Sequence, residues 1–203
     1  MIAIVDYGVG NLFSLKSSLA MIGADALVTG NAEDLEAADK IILPGVGAFE
    51  DAANKLRDKG LDAVVTAQAQ AGKPLLGICL GMQLLFDRSF EYGEHRGLGL
   101  IAGDVVDMRS RIPEHLKVPH IGWNALKFKQ PDHPLLSGIN EGDFVYFVHS
   151  FYADNCEPAT LATTEYGREL TAMVGSGNVL GCQFHPEKSG NVGLNILRAF
   201  CAM

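Results

Sequence analysis

Short, predominantly apolar runs recur through the first part of the chain at Ile2–Val5, Ala26–Thr29, Ile41–Leu43 and Pro74–Ile78, and most are followed by helical spacing. A strand that is apolar along its whole length has to be covered on both faces. That requirement leaves βα units, a parallel sheet and helices on either side of it. Leu12, Leu15, Leu19 and Ile22 fall on one helical face that Gly23 stops. A second helical region spans Phe49–Ala71 with a break near Gly60, and a third opens at Leu80 and runs to Asp87.

From Gly99 the texture changes. Leu100–Met108, Trp123–Phe128, Asp143–His149, Leu170–Gly175 and Val179–Phe184 read as strands joined by short turns, and a helix at Val192–Cys201 closes the chain. The run Thr171–Val174 and the run Asn178–Phe184, on either side of Gly175-Ser176-Gly177, predict a hairpin. There is no repeat, low-complexity tract or Pro/Ser-rich linker. The 203 residues are therefore expected to form a single α/β domain over 1–203, with a mostly parallel central sheet flanked by helices and an antiparallel-rich second half.

The chemistry concentrates at Gly77-Ile78-Cys79-Leu80-Gly81, which has the spacing of a nucleophile elbow with Cys in place of Ser. In that device a strand turns sharply into a helix, the nucleophile sits at the apex, and the flanking positions have no room for a Cβ. A thiol at a helix N-terminus gains thiolate character, and the N–H of the following residue, Leu80, points to where an oxyanion forms. A cysteine taken alone reads more readily as a buried structural residue; the strand–Gly-x-Cys-x-Gly–helix context favours the nucleophile. Cys156, Cys182 and Cys201 lack that context and keep the structural reading.

A thiolate in acyl transfer needs a base, and the base needs an orienting group. His95, His115 and His133 lie in charged or turn-like stretches and read as solvated, and His120 reads as a strand cap. His185 ends a strand and is followed by Pro186-Glu187. Proline keeps the preceding residue extended, so residues 185 and 187 face the same way and Glu187 is placed to steady the imidazole. Pro44-Gly45-Val46-Gly47, after a neighbouring strand, is a candidate second oxyanion donor through Gly47 or Val46. Its glycines give the turn the freedom for a peptide flip, the expected switch of such a donor.

The remaining features narrow the class. The formal charge is −8, and no stretch gathers Lys and Arg into the stripe that a nucleic-acid binder needs. The opening residues reach Asp6 without a basic region, which predicts no signal peptide, and no apolar run approaches the ~20 residues of a membrane span. Four cysteines without a Cys-x-x-Cys pair indicate neither a zinc site nor a disulfide framework, and point to a reducing, cytoplasmic setting.

Gly77-Ile78-Cys79-Leu80-Gly81-Met82-Gln83 together with His185-Pro186-Glu187 resemble the signatures of the class I, triad-type glutamine amidotransferases. Within that family, further segments resemble the glutaminase subunits of imidazole glycerol phosphate synthases. These are Asp6-Tyr7-Gly8, Gly10-Asn11-Leu12, Pro44-Gly45-Val46-Gly47, Gly122-Trp123-Asn124, Tyr146-Phe147-Val148-His149-Ser150 and His185-Pro186-Glu187-Lys188-Ser189. The likeness runs from end to end, with no synthase domain appended. It implies a flavodoxin-like fold, Cys79 as nucleophile, His185 as base then acid, Glu187 as its orienter, and an oxyanion hole from Leu80 with Gly47 or Val46.

It further implies that Gln83 and Glu91 hold the amino-acid end of glutamine, and that backbone near Ser150 and Phe151 receives its carboxylate. Asn11, Trp123 and Lys188 are implied to face a partner, with a cation–π pair there; from the residues alone Trp123 reads equally well as a packed core aromatic. The partner is a (β/α)₈ cyclase subunit in a heterodimer. It would join the ammonia to a phosphoribulosyl-aminoimidazole substrate, giving imidazole glycerol phosphate and an aminoimidazole carboxamide ribotide, with no cofactor or metal. At Arg88-Ser89-Phe90-Glu91-Tyr92 the sequence departs from the more acidic run usual in the family. Three rivals stay open: a glutaminase serving pyridoxal phosphate or nucleotide synthesis, a stand-alone hydrolase or peptidase of the same fold, and a non-catalytic binding subunit. The Pro-Gly-Val-Gly turn and the Trp123 segment argue against the first.

Overall fold

The computed structural model describes residues 1–203. The first part of the chain alternates as expected, with one further helix that sequence reasoning missed: β1 (Ile2–Val5), α1 (Leu12–Met21), β2 (Ala26–Thr29), the further helix α2 (Ala32–Ala37), β3 (Lys40–Leu43), α3 (Phe49–Asp58), α4 (Leu61–Gln70), β4 (Leu75–Ile78) and α5 (Leu80–Gln83). There follow β5 (Phe86–Ser89), β6 (His95–Arg96), β7 (Ile101–Asp107), β8 (His120–Phe128), β9 (Phe144–His149), β10 (Phe151–Asp154), β11 (Thr160–Glu165), β12 (Glu169–Ser176), β13 (Val179–Cys182) and α6 (Gly190–Ala202).

One nine-stranded sheet runs in the order β2-β1-β3-β4-β13-β12-β11-β8-β9. The half from β2 to β13 is parallel and the half from β13 to β9 antiparallel, so the sheet is mixed. Strand β13 joins the halves, parallel to β4 on one side and antiparallel to β12 on the other. A smaller sheet, β10-β7-β5-β6, packs beside it.

Both faces of the parallel half are covered. Ala3, Val5, Ile41, Leu43 and Leu75 share a core with Phe49, Leu56, Leu61 and Val65 of α3 and α4. The alternate residues Ile2, Ile4, Ile42, Leu76 and Ile78 pack with Leu15 and Leu19 of α1 and with Ile196, Leu197 and Phe200 of α6. Each of the Val, Leu, Ile and Phe side chains among them, fully removed from water, contributes roughly 1.5–3 kcal/mol.

The expected helix from Leu80 to Asp87 stops at Gln83, and Phe86–Ser89 is a strand. The reason lies in where the carbonyls go. Those of Leu84, Leu85, Phe86 and Asp87 accept from the N–H groups of Leu98, Leu100, Gly99 and Gly97, and Phe86 pairs with Ile101, which ties the segment into the smaller sheet as β5. The hairpin forms with a tighter turn than expected: Ser176 pairs with Val179, so Gly175 and Ser176 belong to β12 and only Gly177-Asn178 turn.

Candidate active site

The parallel register of β4 and β13 builds the site. Gly77 pairs with Gly181 and Ile78 with Cys182, so the next residue, Cys79, emerges beside the segment that leads to His185. The Cys79 N–H donates to the Cys182 carbonyl at 2.8 Å. Cys79 has φ 55° and ψ −114°, a region that costs a non-glycine residue energy and persists only when its surroundings impose it. They do so through close backbone approach. A Cβ at Gly81 would stand 1.8 Å from the Leu43 carbonyl oxygen, and one at Gly77 would stand 2.7 Å from Gly81 O and Met82 Cα.

His185 is extended (φ −98°, ψ 100°) and opens a 3₁₀ turn over Pro186–Lys188. Its Nδ1–H donates to Glu187 Oε1 at 2.9 Å, with both side chains 3% exposed. The Ser189 hydroxyl donates to the His185 carbonyl at 2.6 Å and accepts from the Tyr146 N–H at 3.0 Å, which pins the segment against β9. Burial works to lower the imidazole's pKa. Hydrogen bonds to Cys79 and Glu187 outweigh it and raise the value to about 9. Since Nδ1 is engaged with Glu187, Nε2 is the nitrogen left for the thiol. Such a constellation suits proton exchange with a sulfur nucleophile. By contrast Cys156 and Cys182 are buried structural thiols, both pushed up by desolvation.

Cys79 and His185 open onto a cleft of about 270 Å³ whose walls include Val46, Gly47, Leu80, Gln83, Glu91, Ser150 and Phe151. Drug-sized ligands take ~300–1,000 Å³, so the occupant is small. The structure thus brings together the triad, the oxyanion candidates and all the proposed glutamine contacts. No backbone carbonyl accepts from the N–H of Val46, Gly47 or Ser150. Gly45 is walled in: a Cβ there would lie 2.7 Å from Gly81 N, and the Tyr7 hydroxyl donates to Pro44 O at 2.7 Å. Gly47 has φ 93° and open space around it. Freedom for a flip therefore resides at Val46–Gly47 and not at Gly45.

Gln83 donates from Nε2 to the Phe151 carbonyl at 3.1 Å and to Gln183 Oε1 at 3.0 Å, which uses both amide hydrogens and leaves only Oε1 to meet a ligand. Glu91 Oε2 accepts from the Phe49 N–H at 2.8 Å, so it caps α3 from a distant loop while facing the cleft, and burial raises its pKa. Sequence reasoning missed Gln183, whose Nε2 lies 3.8 Å from Cys79 Sγ. The parity argument that paired 185 with 187 applies equally to 183. It also missed Tyr92, which stands edge-on to Phe151 at the rim.

Outside the cleft, Trp123 is 55% exposed, so it is no core residue. Exposed Ile121 and Phe144 share its face of the β8–β9 ribbon, where Trp123 pairs with Tyr146. The cation–π contact involves Tyr146, not Trp123: Lys188 Nζ is 6.0 Å from the Tyr146 ring centre, and Trp123 meets that ring edge-on. Asn11 caps α1, its side chain accepting from Ser14 N at 3.4 Å. His120 is more than a strand cap, being buried and bonded to His149. His95 is also largely buried, with no partner for Nε2. No group of three or more His, Cys, Asp or Glu side chains gathers to hold a metal.

The family model for class I glutamine amidotransferases matches residues 3–202. The chain belongs to that family. Among curated amidotransferase relatives, the imidazole glycerol phosphate synthase subunit HisH of Bacillus velezensis is 52% identical over 100% of this chain and 96% of its own length. That of Caldanaerobacter subterraneus is 48% identical over 100% of this chain and 98% of its own. Among solved structures, a glutamine amidotransferase superposes with a TM-score of 0.78 at 20% identity, covering 99% of this chain and 97% of that one. PurLQS from Thermotoga maritima gives 0.77 at 22% identity, covering 99% and 97%. Likeness at that identity shows the fold alone: an α/β amidotransferase fold with a mixed central sheet flanked by helices.

Proposed function

We propose that the chain hydrolyses L-glutamine to glutamate and ammonia as the glutaminase subunit of an imidazole glycerol phosphate synthase, delivering the ammonia to a (β/α)₈ cyclase subunit in a heterodimer for histidine biosynthesis. The observation that carries the chemistry is the buried Cys79–His185–Glu187 constellation at the mouth of a cleft sized for an amino acid. The cyclase assignment rests on likeness to the HisH subunits over the full chain.

His185 Nε2 takes the Cys79 thiol proton, and the sulfur attacks the carboxamide carbon. The N–H groups of Leu80 and of Gly47 or Val46 receive the oxyanion, once a flip at Val46–Gly47 has aimed the second donor. His185 protonates the departing nitrogen as the C–N bond breaks. It then takes a proton from the water that opens the thioester, and Cys79 leaves as glutamate is released. Glu187 holds the His185 Nδ1–H whether the ring is neutral or doubly protonated, which leaves Nε2 to take and give the proton. Gln83 Oε1 and the free oxygen of Glu91 suit the substrate's ammonium, and the Ser150 N–H suits its carboxylate. Trp123, Lys188 and Asn11 face the cyclase, with Ile121 and Phe144 adding apolar area. A cytoplasmic location is part of the proposal, on the strength of four free cysteines, which a reducing compartment preserves; no helix is long and apolar enough to cross a membrane.

The test is glutamine hydrolysis with and without the cyclase and its nucleotide ligand. Turnover near background for the isolated chain, rising on addition of both, is the expected result, and Cys79→Ala should abolish glutamine-dependent synthesis while ammonia-dependent synthesis persists. Fast hydrolysis by the chain alone would point to a stand-alone hydrolase. Recovery of a non-cyclase synthase by pull-down, or glutamine-dependent synthesis intact in C79A, would sink the assignment.

A further inference from the structure

A row of hydrogen bonds leads away from the cleft through two histidines that the chemistry above does not use. His149 lines the cleft and is buried; its Nδ1 lies 2.9 Å from the Phe151 carbonyl. A carbonyl only accepts, so His149 carries its proton on Nδ1 and presents a bare Nε2. That nitrogen is 3.0 Å from His120 Nδ1, which must then be the donor. His120 Nε2 in turn faces the Asn124 amide nitrogen at 3.3 Å. The orientation of Asn124 is fixed independently, since its oxygen accepts from Ala125 N at 2.9 Å and its nitrogen donates to Glu165 O at 2.8 Å. Every proton in the row is assigned by a neighbour with a single option. The His120 ring is also clamped, stacked on Tyr166 at 4.0 Å and on Phe147 at 4.9 Å.

The Phe151 carbonyl at the end of this row is the same oxygen that accepts from Gln83 Nε2. We infer that His149, locked in its Nδ1–H tautomer by His120, is a positioning residue: it holds the Phe151 carbonyl, and through it the Gln83 amide, in the geometry that binds glutamine. The inference rests on the glutaminase reading for its substrate, but the tautomers stand on the geometry alone. Burial keeps His149 neutral, its pKa lowered to about 3 by desolvation with His120 and His185 nearby, so a permanent donor is available without a second charge beside His185.

Two measurements test it. In ¹⁵N-edited spectra of the wild-type chain, His120 and His149 should both be neutral and protonated at Nδ1 from pH 6 to 8; an Nε2–H tautomer at either would overturn the inference. In the complex with cyclase and nucleotide, His149→Leu should raise KM for glutamine about threefold to tenfold, the size of one net hydrogen bond, with kcat within about twofold. His149→Asn, whose amide nitrogen replaces Nδ1, should recover most of that loss. A fall in kcat at constant KM, or no recovery with Asn, would refute the positioning role. Absence of glutamine turnover in the wild-type complex would instead defeat the functional reading and leave the tautomer result standing. If H149L fails to fold, the spectra still decide.

Discussion

Gly81→Ala tests the physical claim on which the elbow depends. The added Cβ would sit 1.8 Å from the Leu43 carbonyl oxygen, whereas real Cβ atoms essentially never come within 3.0 Å of another heavy atom. Relieving the clash takes a shift of about 1.2 Å, and both sides of it are backbone. Strand β3 is held by β1 and β4, and α5 is anchored by Cys79, so no flexible side chain can give way. Overpacking in a core costs about 1–3 kcal/mol when side chains can adjust. With rigid backbone on both sides, about 3–5 kcal/mol is expected. For a domain of this length each kcal/mol moves Tm by about 2–4 °C, so Tm should fall by roughly 10 °C. Gly72→Ala is the contrast: unlike Gly81 it has positive φ (95°), but nothing lies within 4 Å of its Cβ position, and it should cost only the ~1–2 kcal/mol of left-handed backbone strain. Thermal and urea unfolding, followed by circular dichroism, measure both. If G81A lies within about 1 kcal/mol of the wild type, close packing does not enforce the elbow.

Glu187→Gln should destabilise the chain at pH 7 by about 3 kcal/mol, because it breaks a buried pair. A histidine raised from 6.5 to about 9 contributes fully below 6.5 and loses that contribution as pH rises through 9. The wild-type advantage in urea should therefore shrink between those values, and a constant gap would contradict it. Glu91 behaves with the opposite sense: burial raises its pKa, so ionisation above the unfolded value of 4.5 costs folded stability. Glu91→Gln keeps an acceptor for Phe49 N, and its stability relative to wild type should rise as pH climbs from 4 to 7 in the same assay. Trp123→Ala should weaken cyclase binding by at least about 2 kcal/mol, as a central aromatic does, while the isolated chain's stability changes by less than about 0.5 kcal/mol. Titration calorimetry that finds equal affinity would remove Trp123 from the interface.

Much of this arrangement is legible in the residues because the constraints are local. A fully apolar strand must be covered on both faces, and the glycines around Cys79 mark a turn that excludes a Cβ. What escaped depends on tertiary hydrogen bonding. Leu84-Leu85-Phe86 is apolar on every side and suits a helix or a buried strand equally; only the N–H groups of residues 97–100 decide between them. The short helix α2 did carry signals, Asn31 before Glu33 and Asp34 in its first turn, whereas Thr160–Glu165 has a threonine-rich pattern that only its two neighbouring strands turn into β11. The Glu91 cap on α3 joins residues 42 positions apart, and local spacing holds no trace of it.

Strand β13 gives the molecule a temporal order. It occupies the middle of the sheet but follows every other strand along the chain. Until Val179–Cys182 is synthesised, β4 and β12 are bare edges of two separate half-sheets, and bare edges invite pairing with other chains. The proposed base follows that strand, so a growing chain carries Cys79 through the next 106 residues without His185 beside it. Pairing of β13 with both neighbours joins the halves, covers both edges and sets the segment that leads to His185 beside Cys79.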